Sequence, residues 1–119
     1  MTSAGQAILI VDNDHSTREL YQRALSQSYQ VYTASDEQNI VALVHQHAIQ
    51  AVVLEPGPPN GQGWGVVSAL KRDPGTSAIP IIICTAQDER RRGQALGAAA
   101  YLVKPVLPTL LLQAIKLVI

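Results

Sequence analysis

The sequence predicts an α/β domain built on a parallel sheet of five strands. Short apolar runs alternate along the chain with longer amphipathic segments, which is the pattern of repeated strand–helix units. Three of the runs are apolar throughout, as expected of strands that helices cover on both faces. The chain has 119 residues, so residues 1–119 are expected to form one domain with one core.

Five segments are predicted to be strands, because they are short, apolar and bounded by turn residues. They are AILIV at 7–11, QVYTA at 30–34, AVVLE at 51–55, PIIICTA at 80–86 and AYLV at 100–103. The first, third and fourth are the continuous apolar runs. Together they favour a parallel sheet over a half-exposed antiparallel one.

Each predicted strand is followed by a segment with helical periodicity. The predicted helices lie near 15–28, 36–47, 63–72, 88–97 and 107–118. The candidate N-caps are Asp14 or Ser16 for the first helix and Ser35 or Asp36 for the second, because short polar side chains accept hydrogen bonds from the first helical turn. The segment DPGTSAIP is expected to end the third helix, and Gly97 the fourth.

Composition and charge narrow the class of partner. Nine basic and nine acidic residues balance, so no net field attracts nucleic acid or an anionic membrane to this domain. The N-terminal MTSAGQ lacks the basic-then-apolar pattern of a targeting segment, and no apolar stretch approaches the roughly 18 residues that span a bilayer. The one cysteine, Cys84, is predicted to be a core residue, which fits a reducing compartment. We therefore expect a cytoplasmic protein.

Polar residues collect at the predicted carboxyl ends of four strands. The first strand runs into Asp12-Asn13-Asp14, the third ends in Glu55, the fourth contains Thr85 near its end, and the fifth is followed by Lys104-Pro105. In open α/β sheets, ligands and chemistry gather beyond these strand ends. A cap, a β-branched strand residue and a surface lysine would each be ordinary explanations. Their coincidence at one edge instead predicts a common site.

The segments ILIVDND, VVLEPGPPNGQGW, IIICTA and YLVKP, in this order and spacing, resemble the receiver domains of two-component response regulators. The resemblance covers nearly the whole chain. It implies a flavodoxin-like (βα)5 fold with strand order 2-1-3-4-5, two helices on one face and three on the other. It also implies a non-enzymatic module of phosphorelay signal transduction, in which an aspartate ending the third strand accepts a phosphoryl group from a histidine kinase.

The resemblance assigns a role to each polar strand end. Glu55 stands at the phosphoacceptor position, while Asp12, Asn13 and the carbonyl of Gly57 match the acidic pocket that holds Mg²⁺. The switch positions, which respond to the phosphoryl group in the family, are matched by Thr85, Tyr101, Lys104 and Pro105. Lys104 would pair with phosphoryl oxygens, Thr85 would turn its hydroxyl to them, and Tyr101 would then move inward.

Two positions depart from the family pattern. The phosphoacceptor position carries Glu55, whose extra methylene displaces the carboxylate by about one bond length. Asn13 replaces an acid by an amide, so no cofactor is expected and Mg²⁺ should bind weakly or not at all. Pro59 and Gly63 keep the family spacing after Glu55. Pro56 and Pro58, however, make the loop more rigid than usual.

The leading functional prediction is an atypical receiver that is not phosphorylated in the usual way and acts through protein contacts. Glu55 is either a partial mimic of an aspartyl phosphate, paired with Lys104, or a tolerated remnant. A receiver that accepts phosphate inefficiently with Mg²⁺ is the alternative. A flavodoxin-like binder of small molecules is less favoured, because no Gly-, Ser- and Thr-rich run follows the first strand.

The expected partner surface of such a module is formed by the fourth helix, the fifth strand and the fifth helix. It would present Arg90, Arg91, Arg92 and Tyr101 to a protein partner, and a homodimer through an exposed patch at Leu111, Leu112 or Val118 is a second option. Other conspicuous residues have plainer explanations: Trp64 in packing, and His15, His45 and His47 at the surface. Two alternatives stay open for the chain: a domain by itself, or a fragment of a longer regulator or hybrid kinase.

Overall fold

The computed structural model describes residues 5–36, 38–58 and 61–119. Five strands alternate with five helices in this part of the chain: β1 (Ala7–Val11), α1 (His15–Leu25), β2 (Gln30–Ala34), α2 (Ile40–His47), β3 (Ile49–Leu54), α3 (Gly63–Arg72), β4 (Ile81–Thr85), α4 (Arg90–Ala95), β5 (Ala100–Val103) and α5 (Pro108–Val118). The alternation predicted from the apolar runs is confirmed. Pro59, which was expected to keep the family spacing after Glu55, lies outside the described residues.

The strands form one parallel sheet in the order β2-β1-β3-β4-β5. The predicted flavodoxin-like strand order is therefore confirmed. In the centre of the sheet, Leu9 of β1 pairs with Val52 of β3, and Val53 of β3 with Ile82 of β4. Because every strand runs in the same direction, all five carboxyl ends meet at one edge of the sheet.

The sheet separates two apolar clusters, since successive residues of a strand point to opposite faces. On one face, β-strand residues such as Leu9 and Val52 pack with Val44 of α2, Trp64 of α3 and, near the end of α4, Leu96. On the other face, Ile8 and Ile82 pack with Tyr21 of α1 and Ile115 of α5. Three helices thus cover one face and two the other. Cys84 belongs to the second cluster, as predicted.

The two predictions of helix N-caps had different outcomes. Asp14 caps α1: its carboxylate accepts a hydrogen bond from the backbone N–H of Thr17 at 2.9 Å. The expected cap of α2 at Ser35 or Asp36 is wrong, because α2 begins at Ile40. The Asp36 carboxylate instead accepts the N–H of Gln38 at 3.0 Å, which closes a local turn before the helix.

The leucines of α5 are arranged differently from the prediction. Leu111 is fully buried, so its expected place in an exposed patch is wrong, whereas Leu112 and Val118 are half-buried and pack against the same cluster. The exposed leucines in and next to α5 are Leu107, Leu110 and Leu117. The row that includes Leu111 and Ile115, four residues apart, faces the sheet, and this orientation turns the neighbouring leucines outward. Among residues 5–36, 38–58 and 61–119, no helix has the length and apolarity needed to cross a bilayer.

Candidate functional site

Four side chains from different strand ends meet at the carboxyl edge of the sheet, as the sequence predicts. Asp12 directly follows β1, Glu55 follows β3, and Thr85 is the last residue of β4. Lys104 follows β5 and is held beside β4 by its backbone N–H, which donates to the carbonyl of Thr85 at 2.8 Å. The parallel sheet thus brings together residues that lie far apart in the chain.

Lys104 joins the two carboxylates of this edge. Its ammonium donates to Oδ2 of Asp12 at 2.8 Å and to Oε1 of Glu55 at 3.1 Å. The side chains are 19%, 3% and 13% exposed for Lys104, Asp12 and Glu55, so the contacts are largely shielded from solvent. Burial opposes the lysine charge, but the hydrogen bonds and charges of Asp12 and Glu55 outweigh it and raise the pKa of Lys104. The three residues form a compact ion-pair cluster.

The second oxygen of Glu55 is also held. Oε2 accepts a hydrogen bond from the backbone N–H of Gly57 at 3.0 Å. Gly57 has φ +79, a backbone conformation that side-chain-bearing residues rarely adopt. The backbone N–H of Glu55 itself donates to the carbonyl of Val11 at 2.8 Å. Glu55 therefore has its carboxylate fixed at both oxygens.

The loop after β1 arranges its three polar residues in different ways. Oδ1 of Asp12 accepts the N–H of Asp14 at 2.9 Å, so Asp12 is fixed at both carboxylate oxygens. Asn13 is exposed. The hydrogen bonds of Asp14 to the hydroxyl and the backbone N–H of Thr17 lower the pKa of its carboxyl. Because Asp14 serves as the helix cap, it would have to give up that cap to replace the missing acid at position 13.

A cavity of about 300 Å³ opens beside Glu55, between the ends of β1, β2 and β3 and the start of α3. Its polar lining includes Asn13, Asp36, Glu55 and Gln62. On the side of α3, Gly63 lies so close to the loop that an added Cβ would overlap the carbonyl of Pro56. The loop that carries Glu55 is thus packed directly against the first turn of α3.

Thr85 and Tyr101 both contact the loop that leads from β4 to α4. Thr85 is buried, and its hydroxyl accepts the N–H of Gln87 at 3.4 Å. Tyr101 is half-buried: its hydroxyl donates to the carbonyl of Gln87 at 2.6 Å and accepts the N–H of Glu89 at 2.9 Å. Burial, the largest effect on this hydroxyl, raises its pKa. Tyr101 therefore holds the loop to β5 rather than pointing into solvent. Pro105, the remaining predicted switch residue, is exposed and follows a cis peptide bond.

The three arginines of α4 are not equivalent. Arg90 and Arg91 are exposed, and Arg90 pairs with Asp88 at 3.0 Å. Arg92 instead lies over the ring of Trp64, with Cζ 4.4 Å from the ring centroid, and 3.8 Å from a carboxylate oxygen of Glu89. Trp64 is buried, so its predicted role in packing is confirmed. Of the expected basic surface, Arg92 is therefore engaged within the domain.

The three histidines have separate neighbours. His45 lies 3.2 Å from a carboxylate oxygen of Asp73, and His47 stacks on Tyr32 with 4.1 Å between ring centroids. His15 is an exposed first-turn residue of α1, 3.3 Å from Glu19. His15 and His45 are exposed, as predicted, whereas His47 is half-buried.

Arg18 is a site residue that the sequence interpretation missed. Its guanidinium Nη1 donates to the backbone carbonyl of Asp12 at 2.7 Å. The signal was present in the sequence, because helical side chains tilt toward the N-terminus and Arg18 stands one turn into the helix that follows the acidic loop. A basic residue at that place can reach back over the loop.

Comparisons with known proteins agree with the fold and with the order of motifs. The family model "Response regulator receiver domain" matches residues 8–116. A probable transcriptional regulator, ycf27, of Guillardia theta is 37% identical over 107 residues, which are 87% of this chain and 41% of that protein. The phosphate regulon transcriptional regulatory protein PhoB of Pseudomonas aeruginosa is 33% identical over 119 residues, 97% of this chain and 52% of that protein. The chain thus spans about half or less of these relatives.

Solved structures give the same result. The chemotaxis protein CheY4 of Vibrio cholerae superposes with a TM-score of 0.87 at 27% identity, covering 98% of this chain and 100% of that one. A putative response regulator from Chloroflexus aurantiacus gives 0.85 at 26% identity, covering 95% and 96%. The matched family model, the shared strand order and the polar residues at the carboxyl edge lead to one conclusion: this chain belongs to the response regulator receiver domain family.

Proposed function

We propose that this receiver domain is not phosphorylated in the ordinary way, and that it acts in two-component signalling through contacts with other proteins. One observation carries the proposal. Both carboxylate oxygens of Glu55, at the phosphoacceptor-equivalent position, are already engaged, one by Lys104 and the other by the backbone of Gly57. The group that would have to attack a phosphorus atom is instead an anchored partner in an ion pair.

The position of the carboxylate also argues against transfer. Phosphoryl transfer requires the attacking oxygen to lie in line with the leaving group, and small displacements have large effects on rate. Glutamate carries its oxygens about one bond length farther from the backbone than aspartate does. The same reach lets Glu55 meet Lys104 directly. The feature that impairs attack therefore favours the ion pair.

The residues present fit Mg²⁺ poorly. Mg²⁺ prefers a near-octahedral shell of oxygen ligands. Asp12 and Glu55 both accept hydrogen bonds from Lys104, Asn13 is neutral, and Asp14 caps α1. Among the residues that the structure describes, no three acidic, histidine or cysteine groups are arranged to hold a metal ion. We therefore infer no step that passes through a metal.

The geometry favours a mimic of the phosphorylated state over a remnant. Glu55 lies within ion-pair distance of Lys104, and the Tyr101 hydroxyl is bonded to the β4–α4 loop. Thr85 does not support the mimic, because its hydroxyl contacts Gln87. The mimic is partial in charge, because a carboxylate carries about −1 and a phosphoryl group nearer −2. We infer that the site shifts the conformational equilibrium of the domain toward the state that resembles the phosphorylated one, while the other state stays populated.

The partner of such a module is a protein, and the exposed part of α4 is the surface we propose for it. Arg90 and Arg91 are exposed there, whereas Arg92 is occupied by Trp64. Its relatives include the probable transcriptional regulator of Guillardia theta and a probable cyclic di-GMP phosphodiesterase of Vibrio cholerae, of which this chain covers 41% and 23%. An output of either kind would require parts of a protein beyond the matched region.

The experiment is phosphorylation of the purified domain by acetyl phosphate, read by intact mass. No gain of a phosphoryl group is expected, nor uptake of beryllofluoride with Mg²⁺. A matched positive control is the double variant Asn13→Asp with Glu55→Asp, which restores the family residues at both positions. A phosphoryl group mapped to Glu55 or Asp12 of the unaltered chain would contradict the proposal and support the alternative of an inefficient phosphoacceptor. In that case the phosphoryl group would occupy the cavity of about 300 Å³ beside Glu55.

A further inference from the structure

The guanidinium of Arg18, a residue of helix α1, contacts the main chain of the acidic loop. Its Nη1 donates to the carbonyl of Asp12 at 2.7 Å, a short, charge-assisted hydrogen bond. Asp12 is the most buried member of the ion-pair cluster, with a side chain only 3% exposed. Because Arg18 binds the Asp12 backbone, it acts on the centre of the site without contacting the Asp12 carboxylate.

The guanidinium is fixed at a second point. Nη2 of Arg18 lies 3.2 Å from Nδ1 of His15, which accepts a hydrogen bond in the tautomer whose Nε2 carries the proton. That Nε2 faces a carboxylate oxygen of Glu19 at 3.3 Å, which suits this tautomer. The planar fork of arginine presents two donors in fixed directions, so one guanidinium reaches both acceptors at once. Lysine has no equivalent pair of donors.

Arg18 completes a set of hydrogen bonds that engages every polar group of Asp12. The N–H of Asp12 donates to the carbonyl of Ala34 at 3.1 Å, while its two carboxylate oxygens accept from Asp14 and from Lys104. The carbonyl of Asp12 is the remaining polar group of the residue, and Arg18 holds it. With all four groups engaged, the carboxylate has one orientation, which faces Lys104.

We propose that Arg18 is a positioning residue of this site, which orients the Asp12 carboxylate toward Lys104 by holding the Asp12 carbonyl. This role rests on the proposed function. If the site is held together by the ion pairs of Lys104 with Asp12 and Glu55, the acidic loop needs a residue that fixes Asp12 in place. Arg18 reaches the reacting positions only through Asp12. Its loss should therefore change the geometry of the folded site, and not only the stability of the fold.

The test uses the backbone N–H of Asp14 as a reporter, because it donates to Oδ1 of Asp12 and its proton resonance moves upfield as that hydrogen bond lengthens. Two-dimensional amide spectra are recorded for Arg18→Gln, Arg18→Lys and the matched control Arg23→Gln. Arg23 lies on the same helix and pairs with Glu19 at 2.9 Å, so its substitution removes the same charge from an exposed place. Arg18→Gln and Arg18→Lys should both shift the Asp14 resonance upfield, and Arg23→Gln should leave it in place.

Either of two results would overturn the proposal. If Arg18→Gln lowers the melting temperature but leaves the Asp14 resonance of the folded protein unchanged, Arg18 has only a structural role. If Arg18→Lys has the spectrum of the unaltered chain, a positive charge alone is sufficient and the planar guanidinium is not needed to position Asp12. No phosphodonor enters this experiment, so its result is independent of whether the domain accepts a phosphoryl group.

Discussion

The ammonium of Lys104 lies 3.1 Å from Oε1 of Glu55, so a lysine and a glutamate 49 residues apart form an ion pair at the carboxyl edge of the sheet. Lys104 also bonds Asp12 at 2.8 Å. One cation thus connects the ends of three strands, β1, β3 and β5. The consequences for chemistry, stability and conformation can each be measured.

Restoring phosphotransfer should require two changes. Glu55→Asp corrects the reach of the nucleophile but leaves Asn13 neutral, and Asn13→Asp strengthens metal binding but leaves the nucleophile displaced. Each single variant should be phosphorylated by acetyl phosphate at least about tenfold more slowly than the double variant, a loss of about 1.4 kcal/mol of transition-state stabilisation. The gain of the double variant should exceed the product of the single gains, because both groups serve one transition state. Equal rates for Glu55→Asp and the double variant would show that Asn13 is no impediment.

Lys104→Met should destabilise the domain, because it leaves the buried Asp12 carboxylate without its cation. We expect a loss of about 3 kcal/mol in the free energy of unfolding, measured with urea. Adding Asp12→Asn should recover part of that loss, since the most buried carboxylate is then neutral and only Glu55, which keeps the N–H of Gly57, has lost its cation. Losses that simply add would show that Lys104 and Asp12 are not coupled.

The same pair predicts a pH dependence. The pKa of Lys104 is raised in the folded state, so its contribution is fully present below the unfolded pKa of about 10.4 and is lost as pH rises through the folded value. The difference in stability between the unaltered chain and Lys104→Met should therefore be constant near neutrality and shrink above about pH 10. A difference that grows with alkaline pH would contradict the ion pair.

Tyr101→Phe should release the β4–α4 loop, because the tyrosine hydroxyl serves both the carbonyl of Gln87 and the N–H of Glu89. The expected cost is about 1–2 kcal/mol of stability. Hydrogen exchange should accelerate specifically at the Glu89 amide. Tyr32→Phe is the control, since it keeps the aromatic stack on His47 and should leave that amide unchanged.

Two glycines of α3 should respond oppositely to alanine. Gly63→Ala places a methyl group against the carbonyl of Pro56, so the loop carrying Glu55 must move, at a cost of about 2–3 kcal/mol. Gly65 has open space around its Cβ position, and Gly65→Ala should stabilise the helix by up to about 1 kcal/mol. Thermal unfolding of the two variants makes the comparison. A tolerated Gly63→Ala would mean that the loop is not packed on α3 as described.

The order of the elements and the location of the site were predictable because they depend on local properties of the chain. A continuous apolar run such as residues 7–11 specifies a strand covered on both faces, wherever its partners are. Asp14 was one of two candidate caps, because the N–H from which its carboxylate accepts, that of Thr17, lies only three residues away. Polar residues at the ends of parallel strands must share an edge, which predicted that Asp12, Glu55 and Lys104 lie at one site.

Other features depended on contacts between distant residues, which a periodic pattern does not encode. Leu110 and Leu111 are adjacent and chemically identical, and only the docking of α5 on the sheet exposes the first and buries the second. Arg92 was expected at the surface, but Trp64 of α3 lies beneath it. Whether Glu55 would meet Lys104 depended on the path of two loops. The sequence by itself therefore determined which segments form the sheet and which edge carries the site, because both follow from local hydrophobicity and strand direction. The tertiary structure alone decided which charges and apolar groups are engaged, because that depends on the packing of elements far apart in the chain.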